Sequence, residues 1–168
     1  MSVRIGPQSI GYIRRGAYPG WEKFGAELHK VVALLYKVVP GAQVSRIGLR
    51  YVNALTTNVH GINTLADMDI SVAVAGAKLS TGLNVNFKLP MGKDSEAMTR
   101  IATVDMAEGV IPDHASVIVD IDVYTLPGYS EKKSETVSEW IERAHNEEKT
   151  RFFNVLGKAA TERLRADR

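Results

Sequence analysis

The chain has 168 residues, 45% of them hydrophobic and 24% charged, with a formal net charge of +2 and no cysteine. That length buries roughly two thirds of the surface the unfolded chain exposes, so neither a disulfide nor a metal is needed to hold a core. The composition excludes a disordered or fibrous chain, and the missing cysteines exclude disulfides, thiolate chemistry and every cysteine-ligated zinc or iron–sulfur site. The N-terminal MSVRIGPQSIG lacks the apolar centre of a signal peptide, and the apolar stretch 31–39 is too short to span a bilayer. The expectation is a cytoplasmic protein.

Charge is uneven along the chain. Residues 1–60 carry eight Lys/Arg against two Asp/Glu, and residues 61–130 carry four against nine. Basic and acidic strands that lie side by side in one sheet would neutralise each other. Nucleic acid is disfavoured as a partner, because there is no Lys/Arg-rich run to follow a phosphate backbone.

Residues 8–16, QSIGYIRRG, read as a short strand ending at Gly16. The period then changes: Trp21, Phe24, Leu28, Val31 and Leu35 recur at helical spacing between Pro19 and Pro40-Gly41, which predicts an amphipathic helix of about five turns. From Val44 to Leu55 the pattern alternates, with Ile47, Leu49, Tyr51 and Leu55 on one face and Arg46, Gly48 and Arg50 on the other. Further strands are predicted over 70–79, 83–89 and 98–106, joined by loops short enough for hairpins. Ser116–Thr125 alternates cleanly, with Val117, Val119, Ile121 and Val123 opposite Asp120, Asp122 and Tyr124.

A long helix follows from about Ser134 to Arg165, with Trp140, Ile141, Phe152 and Leu156 in its apolar stripe and Gly157 placed to bend it or admit a close strand. The predicted fold is a single α+β domain over residues 1–168. An antiparallel sheet of about six strands, with one helix after the first strand, packs on a long C-terminal helix, in an order like the helix-grip architecture.

Phosphate-loop spacing, a dinucleotide fingerprint and a GxSxG elbow are all absent. No two of the four histidines have metal-ligand spacing, and Asp113-His114 beside Pro112 reads as a turn. Asp67/Asp69 and Asp120/Asp122 are DxD-like pairs that could hold a hard cation. The more informative constellation spans two strands: Arg46 and Arg50 on the non-core face of one, Asp120 and Asp122 on the equivalent face of another. These four either pair with each other or present guanidinium forks to a carboxylate or phosphate. Asn53 interrupts an apolar face, where its amide must find partners or bind a ligand. The candidate ligand- or partner-binding residues are thus Arg46, Arg50, Asn53, Asp120 and Asp122, with no catalytic residue, metal or cofactor expected.

The segment Arg46-Ile47-Gly48-Leu49-Arg50-Tyr51-Val52-Asn53 resembles the RxGLRYxN strand of a sporadically distributed, uncharacterised bacterial protein family. Tyr18-Pro19-Gly20-Trp21, Asp120-Ile121-Asp122 and the helix with His145 and Phe152 are similar to other family positions in the same order. Family members carry additional strands before the segment matching Arg4–Ser9, so the chain resembles a short form or the family's C-terminal part. The family also tends to have a second Arg where this chain has Ala54. The patchy distribution implies an accessory, immunity or antitoxin-like role in bacterial conflict. The leading expectation is a non-enzymatic binding or interaction protein that forms a homodimer through a free sheet edge or helix face. The alternatives are a small anionic ligand held by Arg46, Arg50 and Asn53 between sheet and helix, and a metal-dependent nuclease built on Asp120 and Asp122.

Overall fold

In chain order the elements are β1 (Ser2–Gly6), β2 (Ser9–Ile13), α1 (Trp21–Val38), β3 (Gly48–Thr56), α2 (Thr57–His60), β4 (Val72–Val74), β5 (Ala77–Leu79), β6 (Asn84–Met91), β7 (Ser95–Thr103), β8 (Ala115–Thr125) and α3 (Ser134–Ala166). They belong to a computed structural model that describes residues 2–107 and 111–166. The fold class is α+β with antiparallel pairing throughout and a long C-terminal helix, as the alternation of periods predicts. The strands do not form one six-stranded sheet. They form a four-stranded sheet in the order β3-β8-β7-β6 and two separate hairpins, β1-β2 and β4-β5.

One hairpin arises where a predicted single strand folds back, and the other where a strand was missed. The apolar run 70–79 turns at Ala75 and Gly76, which both have positive φ (49° and 83°), so Val72 faces Leu79. At the N-terminus, the reading that began at Gln8 missed β1, whose partner β2 follows directly after the turn at Pro7-Gln8. Turn residues override a continuous apolar pattern because a few left-handed or proline-fixed backbone angles reverse the chain.

The chain divides into two compact units. One comprises the residues up to Ser45 together with Ser130–Glu142; the other comprises Arg46–Tyr129 and α3 from Arg143 onward. In the first unit, hairpin register puts Val3, Ile5, Ile10 and Tyr12 on one face. Tyr12 stacks 5.6 Å from Phe24 and hydrogen-bonds Glu27. The Glu142 carboxylate accepts the Trp21 indole N–H at 2.9 Å and meets His29 Nε2 at 2.7 Å. Val44 and Glu131 exchange backbone hydrogen bonds at 2.8 and 2.9 Å.

The second unit holds the larger core. Val117, Val119, Ile121 and Val123 of β8, together with Leu49, Leu55, Ala97 and Ile101 from the neighbouring strands, are buried on one sheet face. Residues of α3 meet this inner face: His145 lies against Tyr51, and Glu148 against Asn53. In this unit's part of the helix stripe Leu156 is buried and Phe152 only half-buried; Trp140 and Ile141, which belong to the first unit, are also buried.

Gly157 breaks the helix, and what it admits is the turn at Asp69 rather than a strand. Its φ of 77° breaks α3, and a Cβ there would sit 3.2 Å from the Asp69 backbone nitrogen. The Asp69 N–H, donating to Val155 O at 3.1 Å, satisfies a carbonyl beside the break. Asp67, the other member of that DxD pair, accepts the N–H groups of Asn63 and Thr64 at 2.8 and 2.9 Å in a capping box. The Asp67 carboxylate is thus taken up by its own turn, and Asp69 is tied to α3 through its backbone N–H.

Candidate functional site

Strand register decides which candidate residues meet. Arg50 lies opposite Asp122 and Val52 opposite Asp120, while on the far side of β8 Arg100 faces Asp120 and Glu96 faces Tyr124. Directly opposed residues of an antiparallel pair share a face. Arg50, Asp120, Asp122, Tyr124, Glu96, Arg100 and, from β6, Lys88 therefore all stand on the outer face, away from α3.

The two-strand constellation forms as an ion pair. Arg50 grips Asp120 with two parallel bonds, Nε to Oδ1 at 2.8 Å and Nη2 to Oδ2 at 2.6 Å. Asp120 is buried while the Arg50 side chain is 58% exposed, so the fork lies over a carboxylate that has little contact with water. The Asp120 bond keeps Arg50 more firmly protonated than an isolated guanidinium. Asp122 is half-buried, and burial pushes its carboxyl pKa up, opposed by the charges of Arg46 and Arg50.

Arg46 extends this lattice, its Cζ 5.4 Å from the Tyr124 ring centroid. Gly48 leaves room here: a Cβ would lie 3.6 Å from Asp122 Oδ1 and 3.7 Å from Arg46 Nη1. Lys88 Nζ also stands 5.9 Å from the ring centroid and 3.2 Å from Glu96, which accepts the Tyr124 hydroxyl. The Tyr124 hydroxyl and Lys88 hold Glu96 below the usual carboxylate range, and the bond to Glu96 raises the Tyr124 phenol. Arg100 closes the row toward β6 with a 3.0 Å bond to Asn84. Residue types in the sequence pointed to Arg46, Arg50, Asp120 and Asp122. Tyr124, Glu96 and Lys88 were missed, and the alternation of β8 with Tyr124 beside the aspartates was the available signal.

Asn53 lies elsewhere. It is on the inner face, its amide N–H 3.4 Å from Val119 O and in hydrogen-bond contact with Glu148. Glu148 is 5% exposed, and burial raises its pKa to about 7 against the opposing Asn53 bond. The hydroxyl of Thr99, also on this face, is buried without a hydrogen-bond partner. Arg46 and Arg50 are thus separated from Asn53 by the thickness of the sheet, and no one ligand between sheet and helix reaches all three.

Two clefts in this unit are built from other residues. One of about 380 Å³ lies at the Gly157 break between Asp69 and Arg165, and one of about 240 Å³ is lined by Thr56, Thr57, Asn58 and His114. Among the described residues no group of three or more His, Cys, Asp or Glu side chains is placed to hold a metal ion, and no helix is long and apolar enough to cross a membrane. A cation seated by both Asp120 and Asp122 would first have to displace the Arg50 fork. Compared with known proteins, the chain matches no family model, no curated protein and no solved structure.

Proposed function

We propose that the protein is a non-enzymatic interaction module of the bacterial cytoplasm that docks a protein partner on the outer face of its four-stranded sheet. The observation that carries this reading is the cross-strand lattice Arg50–Asp120, Arg46–Tyr124–Lys88 and Glu96, which spans four strands on a solvent face. Exposed ion pairs contribute only about 0–1 kcal/mol each, so stability is a weak reason to order so many long side chains. A binding surface gains from the same order, because side chains fixed in advance lose less entropy when a partner arrives. Arg and Tyr at its centre are the residue types that interfaces favour. A protein surface suits this face better than a small anion, since the Arg50 fork is already filled by Asp120. An accessory or immunity-type role in bacterial conflict, implied by the strand resemblance, fits a docking protein without chemistry of its own.

The test is quantitative capture of a partner from the source cell with the wild-type chain and with Arg46→Glu, Lys88→Glu and Lys149→Glu. Lys149 is exposed on α3, away from the lattice. Loss of the captured chain by about tenfold or more in the first two, with Lys149→Glu unchanged, supports the reading. Equal capture by all three variants, or a native mass spectrum carrying a small-molecule adduct in place of a protein, overturns it.

A further inference from the structure

Helix α1 of the first unit turns lysines and aliphatic side chains outward together. Lys23, Lys30 and Lys37 recur two helical turns apart, so all three stand on one side of the helix, and all are exposed. Among the described residues none of them is ion-paired. Of the two acids in the helix, Glu22 lies in the first turn and Glu27 accepts the Tyr12 hydroxyl, and residues 28–45 contain no acid at all. Toward the end of the helix Leu34 is 57% and Val38 62% exposed. Lys30 precedes Leu34 by one turn, and Lys37 and Val38 follow it by one turn, so these four side chains adjoin on the helix surface.

The β1-β2 hairpin of the same unit repeats the combination. Tyr12, on its apolar face, packs on Phe24, while the directly paired Ile5 and Ile10 at the turn end of that face are 80% and 41% exposed. Residues 1–21 carry Arg4, Arg14 and Arg15 and no acid.

From these patches we infer that the first unit binds the surface of an anionic lipid bilayer through α1: Leu34 and Val38 enter below the headgroups, and Lys23, Lys30 and Lys37 meet the lipid phosphates. The helix lies on such a surface and does not cross it.

Composition selects lipid over other anionic partners. Protein interfaces are depleted in lysine and enriched in arginine and aromatic residues, the mixture that Arg46, Arg50 and Tyr124 supply on the outer sheet face and that α1 does not. A nucleic-acid backbone would engage the lysines and leave Leu34 and Val38 in water. A bilayer engages both, because a lysine stem lies along the apolar boundary while its ammonium reaches the headgroups. Each lysine at an anionic surface strengthens binding by about fivefold. The surface used belongs to the first unit and the outer-face lattice to the second, so either can fail without the other.

The experiment is co-sedimentation of the full chain with vesicles of phosphatidylcholine alone and of phosphatidylcholine containing about 30% phosphatidylglycerol. The variants are Lys30→Glu with Lys37→Glu, Lys30→Arg with Lys37→Arg, Leu34→Ser with Val38→Ser, and Lys149→Glu on α3. Every replaced side chain is exposed, so melting should be unchanged. The wild type is expected to bind the phosphatidylglycerol vesicles and not phosphatidylcholine alone, and to be released as NaCl is raised. Binding should fall by about tenfold or more in the glutamate pair and in the serine pair, and persist in the arginine pair and in Lys149→Glu. No binding to phosphatidylglycerol vesicles, equal binding to both vesicle types, binding indifferent to salt, or full binding by the glutamate or serine pair overturns the inference. So does an acidic protein captured by the wild type and lost in the glutamate pair when the wild type ignores vesicles, because the face then belongs to a protein.

Discussion

The inner and outer faces of the β3-β8-β7-β6 sheet use the same backbone for opposite ends. On the inner face Val117, Val119, Ile121 and Val123 are fully buried, and α3 brings the buried carboxyl of Glu148 against Asn53. On the outer face Arg50, Asp120, Asp122, Tyr124, Glu96, Arg100 and Lys88 stand among the apolar Val52, Met98 and Ala102, and Arg50–Asp120 and Lys88–Glu96 are ion-paired. The inner face is fully buried and the outer face only in part, so folding rests mainly on the inner face and recognition can be encoded on the outer one.

The largest effect that sharpens this contrast comes from the inner face. Ile121→Ala opens a cavity in the centre of β8, where the side chain is fully buried, and should lower stability by about 2–5 kcal/mol in urea unfolding. A loss under about 1 kcal/mol would mean that the helix side of the sheet is not the core.

Glu148 gives the second effect, and its sign is opposite to that of most carboxylates. Burial raises its folded pKa from 4.5 to about 7, so the folded state prefers the protonated acid. The stabilisation is fully present below pH 4.5 and is lost as pH rises through about 7, a decline of about 3 kcal/mol in total. Glu148→Gln should remove that slope and leave the variant more stable than wild type above pH 7. The depressed pKa of Glu96 acts in the other direction and only at lower pH, so unfolding curves of the two proteins between pH 5 and 8 isolate Glu148. Identical slopes would place the Glu148 carboxylate in water.

These contrasts also explain how much the sequence could reveal. The alternation of β3 and β8 assigned each side chain to a face, and the opposite charges at Arg50 and Asp120 marked them as possible partners. Their meeting depends on a register that joins positions 70 residues apart, which no local spacing encodes. The Asn53–Glu148 contact is less legible still, since one partner is a strand residue and the other sits in a helix that looks uniformly amphipathic. Ala75 hid the β4-β5 turn, because a non-glycine residue with φ of 49° carries no composition signal and only Gly76 beside it marks the reversal. Gly157 was legible, being a glycine inside a helical stripe, where it needs a special reason.

The smallest effect is on the outer face, at Arg50. Its guanidinium makes two parallel bonds to one buried carboxylate, but the side chain itself is more than half exposed, so solvent screens much of the attraction. Arg50→Lys keeps the charge and removes the fork. One ammonium bond to Asp120 can replace one of the two that are lost, and the expected cost is about 1 kcal/mol or less. Removing the charge as well, in Arg50→Met, leaves Asp120 withdrawn from water without a partner and should cost more than the lysine variant. A double-mutant cycle of Arg50→Met with Asp120→Asn should return a coupling of about 1 kcal/mol, while the same cycle with Asp122→Asn should return less, because Asp122 makes no direct bond to Arg50. If Arg50→Lys is silent in stability yet weakens partner capture, the fork is there for recognition. If it couples strongly to Asp120 and capture is untouched, the lattice is structural and the difference between the two faces is one of burial alone.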